Sequence, residues 1–235
     1  MKRGAGVGRA VVAVAASVGV GVLASGCGGD GAQAVPKVTH RTLTKAELSD
    51  AVLSGSVKGF RFLGGAQEPP VAGAGGGTPA CGNTGGVLAG RIRPEAEAQL
   101  LVTGTDEREP RLVQTGPSHL LVQAHRQATA RAVLDTLRTD LKDCAPFTSA
   151  DHERTKAVRD PAPAELGDGA VAYRLVAGKP GVRPHDTVVV VVRAGSVVMA
   201  ASGSAVASGR DAVKPVRASL ERLVRAQIDR LPKDG

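Results

Sequence analysis

Thr187 to Arg193 reads Thr-Val-Val-Val-Val-Val-Arg, and few folds can accept it. Five valines behind a threonine are stiff at the first side-chain torsion and fit a pleated strand better than a helix. Ala194-Gly195 supplies a turn, and Ser196 to Ala201 returns as a second strand. Neither strand alternates with polar residues, so both faces of the hairpin are expected to be covered, as in the middle of a sheet. A small-residue loop follows. Val213, Val216, Leu220, Leu223, Val224, Ile228 and Leu231 then recur at three- and four-residue spacing. That is one apolar stripe on one long helix, able to lie across the sheet. Asp211 is placed to cap this helix, and Pro215 to fall in its first turn, where no backbone donor is needed.

The rest of the chain supplies further strands and two more helices. Thr44-Lys45-Ala46-Glu47 is a capping box, and Leu48, Val52 and Leu53 give the helix behind it a short apolar face. Gly59-Phe60-Arg61-Phe62 reads as a brief strand with both rings on one face. Gly64 to Thr78 is rich in Gly and Pro; with no Lys-Ser or Lys-Thr pair after it, it reads as a surface loop or lid rather than a phosphate cradle. Ala96 to Val102 has helix-forming residues but a period of two, and the period predicts a half-buried strand. Arg111 to Thr115 and Leu120 to Ala124 are strand-like, and Ala128 to Lys142 is helical through Ala130, Val133, Leu134, Leu137 and Leu141. Thr155 to Val158 is a short strand, and Pro161-Ala162-Pro163 ends it. Gly167-Asp168-Gly169 is a turn, after which Val171, Tyr173 and Leu175 alternate along another strand. The expectation is an α+β fold: one antiparallel sheet with two or three helices on it, in a single domain.

The first 26 residues read as an export leader. Lys2, Arg3 and Arg9 precede an uncharged stretch from Ala10 to Val22 that is short for a membrane span. Leu23-Ala24-Ser25-Gly26-Cys27 looks like the lipobox of bacterial lipoproteins. That resemblance implies cleavage before Cys27, a diacylglycerol on its thiol, and palmitate among its acyl chains. Residues 27–41 are Gly- and Ala-rich and read as a tether, with the domain in residues 42–235. The implied location is the extracytoplasmic face of the cell membrane, with the lipid anchor as the link.

Composition narrows the function. Aromatics are only Phe60, Phe62, Phe147 and Tyr173, too few for a base- or sugar-stacking platform. Of 30 Lys and Arg, three lie in the leader, leaving 27 against 22 acidic residues, or +5. The charge is spread out, so no nucleic acid is expected as partner, and the basic face of the last helix (Lys214, Arg217, Arg222, Arg225) reads as solvated. There is no Gly-x-Ser-x-Gly elbow, no Ser-x-x-Lys and no His-Glu-x-x-His. His119 and His125 flank a strand run and read as surface or strand-end imidazoles, and His185-Asp186 as a strand-entry turn. No catalytic residues, cofactor or metal site are expected.

Several features together resemble the PknH-like extracellular sensor domain of mycobacterial Ser/Thr kinases and stand-alone actinobacterial lipoproteins. They are the lipobox, Pro79-Ala80-Cys81, the helix ending Leu141-Lys142-Asp143-Cys144, Leu166-Gly167-Asp168-Gly169 through Tyr173, and Arg193-Ala194-Gly195-Ser196. The resemblance covers roughly residues 43–231. It implies an α+β domain with a cleft beside the sheet and a ligand-sensing role. The kinase domain carries two disulfides, whereas here only Cys81 and Cys144 remain once Cys27 is acylated, so one bond between them is expected. The functional expectation is a non-catalytic ligand-binding or sensor module, with a lipid or lipoglycan carrier holding an apolar cavity as the alternative. Its partner would be an unidentified small molecule, lipid or cell-envelope protein.

Overall fold

The computed structural model describes residues 38–57, 60–67, 88, 92–103, 118–148, 153–182, 184–205 and 208–234. Pro36–Gly235 fold as one compact unit, and residues 1–37 lie outside the described residues. So do Cys27, Cys81, most of the Gly64 to Thr78 stretch and the whole of the Arg111 to Thr115 run.

The fold is α+β. Nine strands form one antiparallel sheet: β1 (Gly55–Val57), β2 (Phe60–Gln67), β3 (Ala96–Thr103), β4 (Ser118–Ala124), β5 (Phe147–Thr148), β6 (Arg154–Asp160), β7 (Gly169–Gly178), β8 (His185–Ala194) and β9 (Val197–Ala205). Their spatial order is β1-β2-β3-β4-β9-β8-β7-β6-β5. Three helices accompany them among the described residues: α1 (Lys45–Ala51), α2 (Gln127–Asp143) and α3 (Arg210–Arg230).

The valine run holds the centre. Val188 to Val192 are all fully buried, because β8 lies between β7 and β9 and both sides are covered. On one side α3 crosses β8 and β9, and α1 packs over β2 and β3. Val190, Val192, Met199, Leu100, Phe60 and Phe62 meet Val213, Val216, Leu220, Leu223 and Val224 in that core. Each such side chain contributes about 1.5–3 kcal/mol relative to exposure. On the other side α2 lies over β6 to β9, and its Ala130, Val133, Leu134, Leu137 and Leu141 meet Val171, Tyr173, Val189, Val191 and Val198.

α1 has the capping box expected of it. The Glu47 backbone N–H donates to Thr44 Oγ1 at 3.3 Å, and the Thr44 backbone N–H donates to Glu47 Oε2 at 2.9 Å. The Arg41 guanidinium, at 2.7 Å, and the two Thr44 donors hold the Glu47 carboxyl down at about 2.

Four expectations need correction. First, the strand that opens at Phe60 does not stop before Gly64. Residues 64–67 continue β2, paired with Leu100 to Glu97 on β3. Gly64 has φ +115, and a Cβ there would run into the Gln99 carbonyl, so glycine permits close approach and the ladder overrides its weak strand propensity. Second, residues 38–41 are not tether. Val38 and Thr39 are 8% and 4% exposed, Val38 bridges Lys233, and the Thr39 amide donates to the Pro232 carbonyl. The segment fits because Gly195, at φ +59 in the β8–β9 turn, has no Cβ to strike the Thr39 carbonyl. Third, Gly209, not Asp211, is the N-cap of α3; Asp211 sits in the first turn, and Pro215 lies inside the helix beyond it. The cap comes from another strand, since the Gly209 amide donates to Asp186 Oδ2 at 3.4 Å. Fourth, Ser202, Gly203 and Ser204, expected as loop, are strand: they pair with Val189, Val188 and Thr187.

Candidate functional site

The two sides of the sheet are finished differently. The α3 side is covered from Phe60 on β2 across to Val192 on β8. On the other side α2 spans β6 to β9. Beside it, over β2, β3, β4 and the far half of β9, the sheet carries a row set by register: Leu63 opposite Leu101, Leu101 opposite His119, and His119 opposite Ser202. Partners in register share a face, so these four side chains stand together. Leu63 is 59% exposed, His119 and Gln99 are exposed, and Leu101, Leu121, Ser202, Ser204 and Thr187 are half-buried. The surface offers two leucines, an imidazole, a carboxamide and hydroxyls, with Arg61 at its margin. Such a face can pack against and hydrogen-bond a ligand.

Where this face runs toward α2 it ends in a buried polar chain. Glu97 and Gln123 are cross-strand partners, 1% and 3% exposed. Gln123 Nε2 donates to Glu97 Oε2 at 2.7 Å, and Gln99 Nε2 donates to Glu97 Oε1 at 3.0 Å. His125 Nε2 stands 3.2 Å from Gln123 Oε1, and the ring is 1% exposed. Burial pushes the imidazole down to about 4. The period of two in β3 correctly makes a strand, yet it assigns Glu97 to the wet side. The clue in the sequence is Gln123 two residues before His125, but only the β3–β4 register makes it meaningful.

The expected site residues are placed as follows. Cys144 is the C-cap of α2 and half-buried, while its expected partner Cys81 lies outside the described residues, as does Cys27. His119 and His125 do not come together: six residues of extended chain put them about 20 Å apart. His119 is a surface imidazole; His125 stands at the end of β4 but is buried, and its amide donates to the Ser196 carbonyl at 2.9 Å. His185 opens β8, with Nε2 3.9 Å from Glu153 Oε2. Its neighbour Asp186 serves another purpose. Arg174 donates through Nη1 to Asp186 Oδ2 at 3.1 Å, through Nε to Asp160 at 3.1 and 3.2 Å, and Ser208 Oγ donates to Asp186 Oδ1 at 2.9 Å. Among the described residues, no group of three His, Cys, Asp or Glu is arranged to hold a metal ion.

The two short stretches Leu166–Gly169 and Arg193–Ser196 turn out to touch. Asp168 Oδ2 accepts from Arg193 Nη1 at 3.1 Å and from the Gly195 amide at 2.7 Å, and the Asp168 amide donates back to the Arg193 carbonyl at 2.7 Å. Ser196 Oγ donates to the Arg41 carbonyl at 2.6 Å. These residues tie the β6–β7 connection, the β8–β9 turn and the N-terminal segment into one latch. Their role is to hold the fold.

No protein-family model matches the chain, and no curated protein matches it. Among solved structures, it is similar to the extracellular domain of PknH from Mycobacterium tuberculosis, with a TM-score of 0.51 and 13% identity over 81% of this chain and 98% of that one. At that identity the likeness is one of fold.

Proposed function

We propose that this chain is an extracytoplasmic lipoprotein, anchored in the cell membrane through an acylated Cys27, whose folded domain recognises a ligand and performs no chemistry of its own. The observation that carries the reading is the fold, shared along nearly the whole length of an extracellular domain. The leader and Leu23 to Cys27 agree with that address. The ligand site is the face of β2, β3, β4 and β9 beside α2, where among the described residues Leu63, Gln99 and His119 are exposed. Its hydroxyls and the His119 imidazole favour a ligand with polar groups over a bare acyl chain, which sets the sensor reading ahead of a lipid carrier. In this reading the partner is a small molecule or an envelope component, and Cys81 is bonded to Cys144.

The anchor is tested by feeding radiolabelled palmitate to cells expressing the natural chain or Cys27→Ala. Label is expected in the first and none in the second, and protease added to intact cells or protoplasts should digest the domain. Equal labelling of both proteins, or digestion only after lysis, would sink the assignment.

A further inference from the structure

We propose that His125 is an acid-released latch: while neutral it holds the first turn of α2 against the sheet, and protonation frees that end of the helix. His125 stands at the joint, directly after β4 and directly before Arg126, the N-cap of α2. Arg126 makes no side-chain capping bond, and the buried imidazole and its amide bond to Ser196 help to tie the helix start down, beside the Glu95–Arg126 ion pair and the His40–Gln127 contact.

The hydrogen-bond chain fixes which nitrogen carries the proton. The Glu97 carboxylate only accepts, so Gln123 must turn its NH2 toward it. The Gln123 carbonyl then faces His125, and Nε2 must be the donor. Nδ1 is left as a bare lone pair, with no hydrogen-bond partner among the described residues. A second proton can only go there. It would create a buried cation with an unsatisfied N–H, and the ring regains hydration only by leaving.

The surrounding charges offer the imidazolium little help. Glu97 on β3 is reached only through the Gln123 amide. Glu95, on the same side of β3, is paired at 3.2 Å with Arg126 at the head of α2. In the β8–β9 turn, Arg193 is paired with Asp168. In the N-terminal segment, Arg41 is paired with Glu47, and His40 Nδ1 lies 3.2 Å from Gln127 Nε2.

The sign of the pH dependence follows. The held ring has a lower pKa than the released one, about 4 against 6.5, so the released state binds the extra proton. The latch is fully engaged above about pH 7 and weakens as pH falls from 6.5 toward 4. Between about pH 7 and pH 4.5 the opening equilibrium should rise by up to on the order of fiftyfold. Release would draw Ala130, in the first turn of α2, out of the core beneath the helix.

Hydrogen exchange of the natural chain, corrected for the intrinsic pH dependence of exchange, tests this. Amides at the start of α2 should lose protection between about pH 7 and pH 4.5, and those of β8 should not. His125→Gln, which keeps a donor toward Gln123 but cannot titrate, should show no acid loss. The ring is read separately by NMR of the natural protein, which needs no variant to fold. The Nε2–H tautomer at neutral pH and titration well below 6 are expected. Titration near 6.5, or the same acid opening in His125→Gln, would overturn the proposal.

Discussion

Arg174→Leu should destabilise the domain by about 3 kcal/mol or more, the loss typical when one partner of a buried ion pair is removed. Arg174 is 16% exposed and its two carboxylate partners, Asp160 and Asp186, are 16% and 1% exposed. Asp186 is the sensitive one. Without the guanidinium its carboxylate would stay buried with, among the described residues, only Ser208 Oγ and the Gly209 amide as donors. It cannot turn outward, because those bonds fix the entry to α3, the helix that covers the central hairpin. Urea unfolding gives the readout: a lowered midpoint at unchanged slope is expected. Arg174→Leu with Asp186→Asn should lose less than the first substitution alone, since no uncompensated charge is left buried. A cost below about 1 kcal/mol for Arg174→Leu would mean that the cluster is solvated and acts as an ordinary surface pair.

Replacing Cys81 and Cys144 by Ser should lower stability by up to about 4 kcal/mol, because the proposed bond closes a loop of roughly 60 residues. Domains usually have ~5–15 kcal/mol in all, so the melting temperature should fall by many degrees. The core contains no Trp and few rings, which makes each other constraint count for more. Mass mapping without reductant should recover the two Cys peptides joined. Two alkylatable thiols in the natively exported protein would refute the bond.

Much of the scaffold is legible in the sequence for local reasons. The valine run, the capping box at Thr44 and the stripe from Val213 to Leu231 each carry their own evidence within a few residues. The sheet class follows from them, since a hairpin with no polar face needs cover on both sides. What the sequence hides is decided at long range. Ser196 meets the backbone of Arg41 from 155 residues away, so composition alone assigns residues 38–41 to a tether. Gly64 to Gln67 look like loop because glycine disfavours strands, yet β3 gives them a ladder. Glu97 and His125 look like ordinary exposed polar residues until the β3–β4 register joins them through Gln123 in the buried chain. The candidate ligand face is the least legible part. Leu63, Leu101, His119 and Ser202 come from four strands, and only the sheet order aligns them.

The recognition claim is tested most directly by native mass spectrometry of the protein released from its own host's membranes, beside a Ser202→Arg variant. Ser202 is half-buried in the middle of the face, where an arginine would fill the space over His119 and Leu101. The account predicts that the natural protein retains a species beyond its polypeptide and anchor, and that the variant folds but loses it. A natural protein carrying nothing more, or a variant that keeps the same added mass, would contradict a ligand site on this face.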